Sequence, residues 1–146
     1  MRLRRYEAGD EAAAIALWLR SWQAAYPQLD FAARLDWWRE RWRTELVPSA
    51  AIVIAEAAGE MIGFVTVDPR TLYLDQLVVA PQRWGSGVGA ALIAEAKRLS
   101  PAGLDLDVNT DNARAIRFYG KEGFVVSGKG VNPVSGKPLH RMTWRP

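Results

Sequence analysis

The chain has 146 residues, 49% of them apolar and 24% charged, with no cysteine and a formal net charge of +3. That length and composition suit one independently folding domain rather than a disordered, fibrous or membrane-spanning chain, because no apolar run approaches the ~20 residues a transmembrane helix needs. Lack of cysteine excludes disulfides, thiolate metal sites and a cysteine nucleophile. Lys and Arg are scattered among acids, as in RLDWWRERWRTE, and not gathered into the stripe of a nucleic-acid binder.

The basic start Met1-Arg-Leu-Arg-Arg meets Asp10 and Glu11 before any apolar run, so no signal peptide is expected and a cytoplasmic location is. Residues 3–6 read as a short first strand. Asp10 stands where an N-cap belongs, since a carboxylate can accept from an unpaired amide of the first helical turn. Residues 11–26 place Ile15, Trp18, Leu19, Trp22 and Tyr26 at helical spacing, and Pro27 ends the run. A second helix is predicted over 31–46, stopping before Pro48.

AIVIAEA (51–57) and EMIGFVTV (60–67) flank Ala58-Gly59 as the arms of a hairpin. After a turn at Asp68-Pro69, TLYLDQLVV (71–79) is a strong strand. Residues 87–100 are helical and closed by Pro101, and LDLDVN (104–109) alternates as a half-buried strand does. A helix over 112–122 has Gly123 as its C′ stop. Residues 124–126 and 139–144 are the last strands, joined by a loop rich in Gly, Pro and Asn. The order is β-α-α-β-β-β-α-β-α-β-β: a single α/β (α+β) domain over 1–146, with a central mixed, mostly antiparallel sheet flanked by helices.

The most informative stretch is LVVAPQRWGSGVGA (77–90), where a strand runs through a turn containing Gly85, Gly87 and Gly89 straight into a helix. Glycine admits φ > 0 and lets successive N–H groups approach a ligand. A helix start adds unpaired amides and a partial positive charge. Together they make a site for phosphate or pyrophosphate, which the net positive charge also favours. A P-loop is excluded, because Val88 and Ala90 stand where Lys and Ser/Thr are required. GSGVGA (85–90) also satisfies the dinucleotide pattern G-x-G-x-x-A, with Asp105 about 20 residues on. Against that reading, Ala80 to Trp84 separate the strand from the glycines, and the 61 residues after Gly85 are too few for the rest of a doubly wound sheet.

Gln82-Arg-Trp-Gly85-Ser-Gly87 resembles the Q/R-x-x-G-x-G/A signature of the GCN5-related N-acetyltransferase (GNAT) superfamily. LDQLVVAP upstream is similar to that family's fourth strand and its following proline. Downstream, Asn112-x-x-Ala115-x-x-x-Tyr119-x-x-x-Gly123-Phe124 resembles its N-x-x-A-x-x-x-Y-x-x-x-G-F block in residue type and spacing. The resemblance covers most of the chain, 3–144, although in the N-terminal half it is one of element order only.

This resemblance implies a GNAT-like fold and transfer of an acetyl group from acetyl-CoA to a primary amine by direct attack on the thioester. It implies that the turn, Gln82, Arg83, Trp84, Gly85, Ser86, Gly87, Val88, Gly89 and Ala90, holds the pyrophosphate of acetyl-CoA. Backbone groups of Leu77, Val78 and Val79 would pair with pantetheine and offer an amide to the carbonyl oxygen. Asn112 would contact the pantetheine arm, a role compatible with capping its helix. Tyr119 is the expected acid for the departing thiolate, since a phenol with an unperturbed pKa of about 10 stays protonated at neutral pH.

Asp75 and Glu56 are candidate bases because they interrupt apolar strands, whereas His140, the single histidine, has no visible partner and reads as structural. No His, Asp and Glu cluster has metal-ligand spacing, so no metal is expected. The resemblance puts the acceptor against the first two helices and the late strands. There Trp18, Trp22, Trp37, Trp38 and Trp42, with Tyr26 and Phe31, suit packing on the sheet, an aromatic pocket for a ring or cationic amine, or a subunit interface. Adjacent Trp37 and Trp38 cannot both face the core. Asp30, Asp36 and Glu40 are acids available to an ammonium group. A small-molecule amine is the expected acceptor, because the domain carries no recognition module; a protein or peptide amine is the alternative, as is a non-catalytic acyl-CoA sensor of the same fold. No nucleic acid or membrane partner is expected, and monomer and homodimer both fit.

Overall fold

The apolar run at 62–67 is buried at successive positions, so its strand must be covered on both faces. The computed structural model, which describes Met1–Pro146, shows how. Its strands are β1 (Arg2–Arg5), β2 (Ala51–Ala57), β3 (Glu60–Asp68), β4 (Tyr73–Val79), β5 (Leu104–Asn109), β6 (Val125–Val131) and β7 (Pro138–Trp144). They form one sheet in the order β1-β2-β3-β4-β5-β7-β6. Every neighbouring pair is antiparallel except β4 and β5.

Helix α1 (Glu11–Ala25) and the helical segments α2 (Leu35–Arg41) and α3 (Val47–Ser49) cover one face of the sheet. Trp18, Trp38 and Trp42 pack there on Ile54, Phe64 and Val78. Helices α4 (Val88–Leu99) and α5 (Ala113–Lys121) cover the other, with Leu92, Ile93 and Tyr119 over Val53, Val65 and Leu106. The hairpin turn is as short as the sequence implies. Ala58 and Gly59 take φ of 52° and 78°, the pair of left-handed residues that matches the twist of two antiparallel strands. The alternation of 104–109 is likewise realised, every second residue of β5 being buried.

Two local expectations are corrected. Asp10 does not cap α1, because a 3₁₀ turn at Ala8–Asp10 already brings it into helical conformation. Its carboxylate reaches back instead, accepting the Glu7 N–H at 2.8 Å and pairing with Arg4 at 2.8 Å. Nor does the second helix stop before Pro48. A 3₁₀ turn at Ala32–Arg34 leads into α2, the chain widens into a π-helical stretch at Trp42–Leu46, and α3 contains the proline. Proline has no N–H for the carbonyl four residues back and its ring crowds that carbonyl, and the wider turn falls at that place.

Candidate active site

The site begins with a defect in β4. Thr66 faces Gln76 but Val67 faces Leu74, so Asp75 is an extra residue, a β-bulge, and the Gln76 N–H is taken by the Thr66 hydroxyl at 3.0 Å. Bulges bend a strand and re-aim a side chain. Below the bulge β4 meets β5 at a single pair, Tyr73 and Asp105, joined by the Asp105 N–H to the Leu72 carbonyl at 2.8 Å. Beyond it the parallel strands diverge, and a cavity of about 620 Å³ occupies the gap.

Alternation along the ladder decides what β4 shows to that gap. Ala80 donates to Ile62 of β3 at 2.9 Å, so Val78 also turns its main chain to β3 while Leu77 and Val79 turn theirs to the cleft. The Val79 carbonyl is occupied by the Ser21 hydroxyl at 3.0 Å and the Trp84 indole N–H at 2.9 Å. Of the three strand residues implicated by the sequence, Leu77 and Val79 therefore present the open edge, and Val78 is buried against β3.

At one end of the cleft the chain turns through Gly85 and Gly87, with φ of 78° and 95°, and Gly87 is the N-cap residue of α4. A Cβ at either glycine would meet no atom within 4 Å, so the turn faces open space. Gly89 has another role: a Cβ there would lie 3.1 Å from the Phe118 ring, so its absence lets α4 pack closely on α5. Arg83, Trp84, Gly85, Gly87, Gly89 and Ala90 line the cavity. Gln82 is exposed, the Ser86 hydroxyl donates back to the Arg83 carbonyl at 2.5 Å, and the Val88 side chain is buried beneath the turn.

Asn112 caps α5 as expected, its Oδ1 accepting the Ala115 N–H at 3.2 Å, and it also faces the cavity. Two turns further, Tyr119 is buried in edge-to-face contact with Phe118 and Phe124, at centroid distances of 5.3 and 5.5 Å. Its hydroxyl has no protein hydrogen-bond partner, and burial pushes its pKa above the ordinary phenol value. The phenol thus stays protonated on the cleft wall.

At the other end stand the tryptophans. Trp18 and Trp38 stack at 4.7 Å in the core and, with Trp22 and Trp37, line the cavity, whereas Trp42 lies behind them in the core alone. Trp38 is 1% exposed and its neighbour Trp37 47%, so the two adjacent rings do not share the core. Asp75 points into this end and is held bidentately by Arg41, whose guanidinium also lies over Trp38. On β5, Asp107 accepts from the Tyr73 hydroxyl at 2.9 Å and from Arg141 at 2.8 Å. The Tyr26 hydroxyl donates to Asp111 at 3.0 Å.

Several sequence candidates lie elsewhere. Glu56 is paired with Arg4 at 2.9 Å on the β1–β2 edge, and His140 sits in the β5–β7–β6 ladder; neither lines the cavity, so neither is placed to act as the base. Asp36 pairs with Arg39 and Asp30 accepts the Ala33 N–H, and with Glu40 they stay outside the cavity. Asp105 bonds Thr143 and Arg145, away from the glycine turn, which removes the ribose contact of the dinucleotide reading. Arg41, Tyr73, Asp107 and Arg114 were missed by sequence reasoning. Only Asp107 had a signal, the alternation of β5 that puts Asp105, Asp107 and Asn109 on one face.

An elongated thioester with a diphosphate fits these residues: an open glycine turn with Arg83 and Arg114 beside it, an unpaired strand edge, and a phenol along the wall. That is the architecture of an acyltransferase working on a coenzyme A thioester. The chain belongs to the GNAT acetyltransferase family, its residues 12–124 matching the family model described as "Acetyltransferase (GNAT) family". Among relatives, the peptidyl-lysine N-acetyltransferase YjaB of Salmonella typhimurium is 33% identical over 94% of this chain and 91% of its own. YjaB of Escherichia coli is 31% identical over 94% and 90%, and its apo solution structure superposes with a TM-score of 0.78 over 98% of this chain and 96% of that one, at 27% identity. The PaiA N-acetyltransferase of Thermoplasma acidophilum, solved with coenzyme A, shares the fold at 19% identity, with a TM-score of 0.79 over 99% and 98%. No helix is long and apolar enough to cross a membrane.

Proposed function

We propose that this chain is a cytoplasmic enzyme that transfers an acetyl group from acetyl-CoA to the side-chain amine of a lysine in a protein or peptide. The observation that carries this reading is the continuity of the cleft, from the glycine turn past Tyr119 to Asp75 and the aromatic wall. The names of the YjaB relatives, which align over nearly the whole chain, favour a peptidyl lysine over the small-molecule amine expected from the sequence. A lysine stem is apolar with a single cationic tip, which suits a chamber walled by Trp22, Leu29 and Phe31 with the Asp75 carboxylate on its lining.

Bound acetyl-CoA supplies an acyl carbon activated by its thiolate leaving group. The N–H groups of Leu77 and Val79 stabilise negative charge on the acyl oxygen as the amine adds. Asp75 accepts the proton that the ammonium must lose before attack, directly or through one water. Tyr119 donates its proton to the departing sulfur and is reprotonated through solvent as the new amide nitrogen sheds its extra proton. A small aromatic amine is a second reading, favoured by the rings of Trp22, Tyr26 and Phe31, whose centroids lie 6.0 to 6.4 Å apart around the chamber.

The test incubates wild-type protein and Asp75→Asn with acetyl-CoA and either lysine-containing peptides or a panel of small amines. Acetylated product is followed by mass spectrometry and free thiol by colour. Wild type acetylates lysine peptides, and Asp75→Asn is slower by about 100-fold at neutral pH, with partial recovery at alkaline pH where the amine deprotonates unaided. Turnover of small amines alone would move the assignment to the second reading, and thiol release with neither class would remove both.

A further inference from the structure

Most arginines of this molecule are tied to carboxylates, among them Arg4, Arg41, Arg70, Arg98 and Arg141. Arg114 is not. It makes no hydrogen bond and no ion pair, although it stands at the start of α5 on the wall of the cleft. What holds it is an aromatic face, its guanidinium carbon lying 3.9 Å from the ring centroid of Trp84. The nearest acid in sequence, Asp111, is engaged by the Tyr26 hydroxyl and by Lys137 at 3.8 Å. A guanidinium stacked on a ring keeps its in-plane N–H donors free, and that fork matches the oxygens of a phosphate.

The Trp84 ring is itself pinned. Its N–H donates to the Val79 carbonyl, which also accepts from Ser21 of α1. Trp84 immediately precedes Gly85, so a cation seated on its face is delivered beside the open glycine turn. That turn contains neither Lys nor Arg from Gly85 to Ala90, so its own positive potential comes only from amides and the start of α4. Arg83, next to it, is exposed and has no ring beneath it.

We infer that Arg114, carried on the face of Trp84, is the side-chain cation of the diphosphate site, and that Trp84 is the residue that positions it. This rests on the reading of the glycine turn as the seat of the CoA diphosphate. Charge arrives here from α5, 30 positions after the tryptophan, rather than from the turn.

The experiment is calorimetric titration of CoA, 3′-dephospho-CoA and pantetheine into wild type, Arg114→Ala, Arg114→Lys, Trp84→Ala and Trp84→Phe, with circular dichroism as the check on folding. Arg114→Ala weakens CoA binding by about tenfold or more, as expected for lost charge-assisted hydrogen bonds, and flattens its salt dependence. It weakens 3′-dephospho-CoA by the same factor and leaves pantetheine unchanged. Arg114→Lys restores part of the affinity. Trp84→Ala lowers affinity, Trp84→Phe less so, and Trp84→Ala adds little in the Arg114→Ala background, the non-additivity expected of a coupled pair. In steady state the KM for acetyl-CoA rises and kcat is unchanged. CoA binding by Arg114→Ala equal to wild type overturns the inference, as does a penalty that vanishes with 3′-dephospho-CoA, which would assign the cation to the 3′-phosphate. Failure of wild type to bind CoA would instead overturn the reading of the turn itself.

Discussion

Tyr119 keeps its proton because of where its ring is packed. Enclosed by Phe118 and Phe124 and raised in pKa by burial, the phenol remains neutral throughout the physiological range. Tyr119→Phe preserves the ring and its edge-to-face contacts and removes only the proton. Turnover therefore falls by about 100-fold while CoA affinity is unchanged, as measured by thiol-release kinetics beside calorimetry. The sign of the pKa shift also shapes the pH profile: deprotonation of Tyr119 takes effect only above pH ~10. Wild-type activity should hold or rise from pH 7 to 9 as the acceptor amine deprotonates. A descending limb near pH 8 that disappears in Tyr119→Phe would overturn the raised pKa, and turnover unchanged in Tyr119→Phe would remove the tyrosine from the acid's role.

Among the elements, β4 does most to make the site, and its course depends on β3. Gly63 pairs with Val79 at the upper end of the ladder, and a Cβ there would lie 2.9 Å from the Val78 carbonyl and 3.0 Å from Leu92 of α4. The carbonyl belongs to backbone already paired with β3 and cannot swing away, so β4 or α4 must shift. Gly63→Ala is expected to destabilise the fold by about 1–3 kcal/mol, read as a lowered urea midpoint at constant m-value. CoA binding should weaken as well, because the strand that moves carries the open edge of Leu77 and Val79. An unchanged midpoint would mean that β3 and β4 yield freely here.

At the scale of the whole molecule, ion pairs tie the helices and turns to the sheet. Arg4 joins β1 to Glu56 of β2 and to Asp10 at the head of α1, and Arg43 joins α1 to the π-helical stretch through Glu11. Hydrogen bonds from their arginine partners hold Asp10, Glu11, Asp68 and Glu95 below the usual carboxylate range. A carboxylate depressed in the folded state contributes stability that is fully present above its unfolded pKa and is lost as pH falls through its folded pKa. Stability should therefore be level above about pH 5 and fall steeply below about pH 4. Thermal unfolding followed from pH 3 to 7 checks this, and Asp10→Asn should flatten the acid fall. A midpoint equally high at pH 3 and pH 7 would remove these pairs as the source.

Elements whose cause lies within a few residues were legible in the sequence. The two-residue hairpin at Ala58-Gly59, the alternation of β5, the Asn112 cap and the Gly123 stop depend on local backbone preference, and each stands where its residue types put it. The glycine turn and the block from Asn112 to Phe124 were legible too, since their chemistry needs particular residues at set short spacings. The tertiary structure decided which distant groups meet. Asp75 and Arg41 are 34 positions apart, and the bulge that aims Asp75 exists only against Thr66 of β3. Neither the parting of β4 from β5 nor the burial of Trp38 beside an exposed Trp37 follows from propensity, which treats neighbours alike. Arg114 was one unmarked residue inside a recognised block until α5 folded against the turn and laid it on Trp84. Backbone conformation is set largely by a residue and its near neighbours, whereas side-chain encounters are set by how the whole sheet twists and packs.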